Sequence, residues 1–323
     1  MAEIITTNTE IVREERVAPW IGIGVKGQWD NSYDALRAAY MDFTVRQEQL
    51  YWKREDEDNG YNCQIVYEEK APMFGNVRDT DDKLLGCVTP QYKVIQNRDA
   101  FSLIDPFLGN GGIITNVGMT VDGLCFMVAR VRVEQIIGRE PYEINLMLTN
   151  SFNTKYPCQI IMTPVRIICQ NMYRKVVNDR IFLAKHTTTA NERLQAIANG
   201  NAIDKKILAF SNVIESYQGK HMSMRQLETL VAMLFPYPKD GPREVTYRLK
   251  ADEQRQRFID QYFDAPDNRQ HQDTAFGFLN AYFDYMSHRA NTREMAGSWA
   301  DRRLSGLVSG NDIDMHALKE ALR

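Results

Sequence analysis

From about residue 43 to residue 168 the chain reads as apolar, β-branched runs separated by turn residues, with no long helical pattern between them. Strands that follow one another this closely pair as hairpins; parallel strands need a crossover of a dozen residues or more. A doubly wound α/β sheet is therefore excluded. IITNVGMTVDGLCFMVARVRV turns at Val121–Gly123, and Asn59-Gly60 is a tight-turn signal between Leu50–Trp52 and CQIVY. After about Cys169 the period changes to helical: TTTANERLQAIANGNAIDKKILAFSNVIESYQGK, HMSMRQLETLVAMLF, ADEQRQRFIDQYFD and DTAFGFLNAYFDYMSHR. The expected class is α+β. A curved antiparallel or mixed sheet built from hairpins, packed with helices, fills the N-terminal half, and a mainly helical half follows. The expected divisions are a flexible arm at 1–17, a sheet domain at 18–185 and a helical region at 186–323.

The centre of this plan is LMLTNSFNTKYPCQIIMTPVRIICQNMYRK, residues 146–175. Arg166 interrupts an apolar strand there. A charge in such a run is either paired with an acid or turned toward a wet groove. In ARVRV, Arg130 and Arg132 alternate with Val131 and Val133, which predicts one buried face and one wet, positive face. Ser32 or Asn31 is expected to cap a short helix, Asn97 or Asp99 another ending at Phe101, and Ser223 a third.

Few kinds of chemistry are signalled. The glycines of GIGVKG fit a dinucleotide fingerprint formally, but the helix starts only near Asn31, too late for its first turn to hold a pyrophosphate. Trp20 and Trp29 are expected to anchor this glycine-rich turn on the core. The five histidines form no HExxH or HxH, and the five cysteines form no CxxC. Apart from Cys63, the cysteines lie in apolar surroundings and read as small buried hydrophobes. The acidic runs at Glu55–Asp58 and Asp79–Asp82 read as solvated turns. No cofactor, metal or catalytic set is called. The N-terminal sequence lacks the apolar segment of a signal peptide, and no run has the length of a membrane span, so a cytoplasmic protein is expected.

A net charge of −3 is not that of a polycation, but a local basic groove is compatible with it. Arg130, Arg132, Arg166, Arg174, Lys175 and Lys185 fall within one stretch, with Asn150, Gln170 and Asn171 beside it. Tyr92, Lys93 and Asn97 form a second polar and aromatic group, and Tyr92 or Tyr173 is a candidate for stacking on a base. His186 precedes three threonines at an expected helix start, a place suited to phosphate. Basic side chains along a path, with aromatics and amides close by, are how single strands are held without strong sequence preference. The competing reading is a solvated sheet face.

Several pieces, in order, carry a resemblance: PWIGIG with SYDALRAAYMDFTV, LLGCVTPQYKVIQNRDAF, LTNSFNTK, TPVRIICQNM, KHTTTANERLQ and TAFGFLNAYFDYMSHR. Together they resemble the phage- and plasmid-encoded proteins of the DUF932 type. The resemblance implies a mobile-element origin. By layout alone, the chain is similar to ring-forming single-strand annealing proteins. The expectation is a single-stranded DNA-binding or annealing protein without catalytic chemistry, with single-stranded DNA, further copies of itself and a host or phage protein as partners, and no membrane. The alternatives are a structural or interaction protein of a mobile element, with action against host defence as one form of it, and a metal-dependent nucleic-acid enzyme.

Overall fold

The structure, a computed structural model, describes residues 20, 23–56, 65–109, 111–168, 171–173, 176, 179–187, 201–237 and 244–285. The arm at 1–17, the Asn59-Gly60 turn and the threonines after Thr187 lie outside them.

The elements run β1 (Val25–Trp29), α1 (Ser32–Ala38), β2 (Val45–Asp56), β3 (Ile65–Arg78), β4 (Leu84–Val88), α2 (Asn97–Phe101), β5 (Ile113–Met119), β6 (Leu124–Ile137), β7 (Glu140–Ser151), β8 (Cys158–Arg166), β9 (Asn171–Met172) and β10 (Arg180–Ala184). Helices α3 (Asn201–Gln218), α4 (Met224–Leu234), α5 (Glu244–Asp264) and α6 (Ala275–Asp284) follow. A seven-stranded sheet has the order β1-β5-β6-β7-β8-β10, with β9 also paired to β8, and β2-β3-β4 form a second sheet. Every strand pairing in both sheets is antiparallel. The chain is thus an antiparallel sheet region with a few helices, followed by a mainly helical half.

Strands β6, β7 and β8 are the middle of the large sheet, and β7, β8 and the first half of β6 are largely buried on both faces. Cys125, Met127 and Ala129 enter the main core with Leu146, Leu148, Ile160 and Met162. Leu124, Phe126 and Val128 face a second cluster with Met147, Ile161 and Val165. Strands covered on both sides need apolar residues at every position, which is why LCFMVA and QIIMT show no alternation. The helical half shares the first of these cores: Phe210, Leu230, Phe258, Phe276 and Phe278 belong to it. The aromatic stripes of α5 and α6 are therefore core, with Phe263 an exception at 39% exposed.

Local signals explain the helix starts. Asn31 caps α1 by accepting from the Asp34 N–H, and Ser223 and Gln226 form a reciprocal capping box on α4. Helix α2 differs from expectation: its N-cap, Gln96, makes no side-chain cap bond, and Asn97 is buried inside the helix with other partners. Gly24, at φ +70°, brings its backbone against Val117, where a Cβ would stand 2.3 Å from the carbonyl oxygen. Trp29 lies over Gly27, and Trp20 is buried. The glycines serve close packing of β1 onto β5.

The expected alternation in ARVRV is corrected. Val131 is buried, but Val133 is 59% exposed. Register shifts between Arg130 and Arg132 and again between Arg132 and Gln135 break the period of two. Cys125 and Cys158 are buried, whereas Cys87 is exposed.

Candidate nucleic-acid interface

Two polar assemblies stand at opposite ends of β8. Arg166 ends the strand and is fully buried. Its guanidinium meets Glu140 at 3.0 Å and Asp267 at 3.3 Å, and lies 5.8 Å from the Phe276 ring centre. His271 Nε2 is 2.9 Å from the same Glu140 carboxylate, and Gln270 donates to it at 3.0 Å. Asn280 donates to Asp267 and accepts from the Tyr173 hydroxyl. Burial alone would raise the Glu140 carboxyl; the hydrogen bonds from His271 and Arg166 outweigh it and hold it below the usual range. This assembly joins the sheet to the segment before α6. Of the two readings of Arg166, pairing with acids is the one observed. Its expected role as a direct contact to nucleic acid is corrected, because an enclosed guanidinium held by two carboxylates presents no face to a strand.

The other end carries the LTNSFNTKY turn. Asn150, at the end of β7, donates to the Ile95 carbonyl at 2.9 Å and to Asn97 Oδ1 at 3.1 Å, and Asn97 donates to the Met41 carbonyl at 3.1 Å. The Tyr92 hydroxyl donates to the Ser151 carbonyl at 2.7 Å. The His186 ring stacks on Tyr92 with centroids 4.7 Å apart, and the backbones of Lys93 and His186 meet through Lys93 N–H to His186 O at 3.1 Å. Burial pulls the His186 pKa below the usual histidine range, partly offset by the carbonyls of Lys93 and Tyr156. Burial pushes the Tyr92 hydroxyl far up. Asn97, Asn150, Tyr92 and His186 are all buried, so their expected role as ligand contacts is likewise corrected: they brace the corner from within.

What this scaffold presents outward is lysine. Lys93 and Lys185 are exposed, and so is Lys155, next to Tyr156 in the turn. Among the described residues none of the three is in an ion pair. Four arginines of the sheet half behave otherwise: Arg46, Arg78, Arg130 and Arg132 pair with Asp82, Asp81, Glu143 and Asp204. The expected convergence of Arg130, Arg132, Arg166 and Lys93 on one groove is not found. Lys93 sits at the Cys158 end of β8 through His186, and Arg166 lies eight residues on, about 26 Å at strand rise. Arg130 pairs with Asn145, which pairs with Thr163, in the Arg166 half. Gln170, Arg174 and Lys175 lie outside the described residues, and of Asn171 only the backbone, in β9, is described. Sequence reasoning missed Lys155, although a lysine in a turn between two buried strands has only solvent to face. It also missed Glu140, Asp267 and His271, for which local sequence holds no signal.

Among the described residues no group of three His, Cys, Asp or Glu side chains is placed to hold a metal ion. Among those residues, too, no helix is long and apolar enough to cross a membrane. The fold and its corner define a two-sheet α+β protein with a rigid, lysine-bearing sheet end. Over residues 84–306 the chain matches the family described as a domain of unknown function, DUF932, and it belongs to that family. No curated protein and no solved structure matches it.

Proposed function

We propose that this chain is a non-catalytic, cytoplasmic, single-stranded DNA-binding or annealing protein of a phage or mobile element, which holds the phosphate backbone at Lys93, Lys155 and Lys185. The observation that supports this reading is that the three corner lysines are exposed on a braced scaffold and, among the described residues, in no ion pair, while Arg46, Arg78, Arg130 and Arg132 are paired. Unpaired cations on a braced scaffold need break no ion pair to meet phosphates, and each contact releases counterions. The test is fluorescence anisotropy of a labelled single strand across a salt series, with duplex as control. For single strands the log–log salt slope changes by about 0.7 per phosphate contact, so the Lys93→Ala/Lys155→Ala/Lys185→Ala variant is expected to lower the slope by about 2. An unchanged slope would remove these lysines from the interface. Absence of binding at low salt would remove the function.

A second reading, an interaction protein acting against host defence, draws support from an apolar corner at the Arg166 end. Ile136 is 58% exposed and pairs with Pro141, whose carbonyl accepts from the Ile167 N–H; Ile168 is also 58% exposed. Adjacent exposed aliphatics of this kind suit a protein partner.

A further inference from the structure

Two tyrosines, one on α1 and one just after its C-cap, are exposed at positions where burial would be the ordinary use of an aromatic ring. Tyr33 is 47% exposed and Tyr40 86%. Arg37 and Arg98 both lie over the Tyr33 ring, at 5.7 Å and 5.3 Å from its centre. Both arginines are exposed, and among the described residues neither is in an ion pair. Tyr40 follows the helix C-cap with φ +54°, in the left-handed region where glycine is the usual occupant. A bulky residue there is strained, and a side chain so exposed gains little packing in return. This group adjoins the lysine corner. Arg98 follows Asn97 and Tyr40 precedes Met41, the two residues joined by the Asn97–Met41 hydrogen bond, and Lys93 lies on the segment leading into α2.

From this we infer that Tyr33, Arg37, Arg98 and Tyr40 form a stacking platform for the bases of a single strand whose backbone is held at the lysine corner. The inference rests on the nucleic-acid reading above and deepens it. Planar guanidinium and phenol groups offer faces on which any base can lie, without reading its edge. Asp34 and Asp99 stand on the same two helices, so the patch has no excess of positive charge. Its contribution is therefore stacking rather than phosphate attraction. A duplex, whose bases are already stacked on one another, gains nothing from it. The lysine corner alone would not distinguish the two forms; the platform supplies the preference for a single strand.

The platform and the lysines separate experimentally. Binding of a labelled oligothymidylate is measured by anisotropy across a salt series for the full chain, for Tyr33→Ala/Tyr40→Ala and for the lysine variant. Loss of two stacking positions is expected to weaken binding about thirtyfold or more at every salt concentration with the slope unchanged. The tyrosine variant is expected to bind duplex as the parent does, and an abasic strand of equal length is expected to bind the parent and the tyrosine variant equally. Tyr40→Gly adds a readout that a structural role would not reproduce: thermal stability rises while single-strand affinity falls. If the parent binds the single strand and the tyrosine variant binds it equally well, the platform is overturned and the lysine reading stands. If the parent binds no single strand at low salt, both are overturned.

Discussion

Replacing Arg166 by alanine tests the assignment of that residue to the interior. Its guanidinium is fully buried, 3.0 Å from Glu140 and 3.3 Å from Asp267. The substitution leaves two carboxylates in a closed site with their cation gone. Removing one partner of a buried pair costs about 3–5 kcal/mol, most of it the burden of the uncompensated charge. Unfolding entropy near 2.1 cal/mol/K per residue gives a chain of 323 residues about 0.7 kcal/mol/K, so Tm is expected to fall by about 4–7 °C. Circular dichroism melts and urea titration measure this. Glu140→Ala is expected to cost a similar amount, and the double variant less than the two together, because each single change strands the other's charge. Nucleic-acid affinity of folded Arg166→Ala should match the parent. A loss below about 1 kcal/mol, or a fall in salt-dependent affinity with the fold intact, would show the guanidinium to be open to ligand and refute the reasoning.

Other outcomes follow from the same geometry. The Glu140 carboxyl is held below its ordinary value of 4.5, so its contribution to stability is full above that pH and is lost as the pH falls through the folded value. Urea midpoints measured from pH 6 down to pH 3 should decline, and Glu140→Gln should flatten the decline; an equal slope in both would exclude this carboxyl as a source. Thr154, in the LTNSFNTKY turn, has φ +67°, which a β-branched residue tolerates poorly, so Thr154→Gly is expected to add about 0.5–1 kcal/mol. A Tm unchanged or lowered would mean that the threonine side chain offsets the strain. Asn150→Ala removes the donor to Ile95 and Asn97 at a buried site and is expected to cost about 2–4 kcal/mol in urea titration; a cost under 1 kcal/mol would mean that water replaces the amide.

Much of the fold was legible because the physics that sets it is local. Hairpin turns, caps and the change of period from two to 3.6 residues are short-range patterns, and they placed the β5–β6 turn at Gly123, the capping box at Ser223 and the division into sheet and helical halves. The apolar runs announced β6, β7 and β8 as strands, but that they are covered on both sides came only from the fold. The position of the candidate surface was not legible in this way. Sequence lists which residues carry charge, but pairing neutralises charge, and pairing is made between elements distant in the chain. Arg166 finds Glu140 26 residues earlier and Asp267 101 residues later, and what reads as a candidate contact becomes an internal tie. Tyr92 and His186, 94 residues apart by number, stack and vanish from the surface, leaving the lysines beside them without counter-charge. Local sequence by itself determined which elements form. Only the tertiary structure decided which cations remain free for a partner, because desolvation and ion pairing depend on what folds against each side chain.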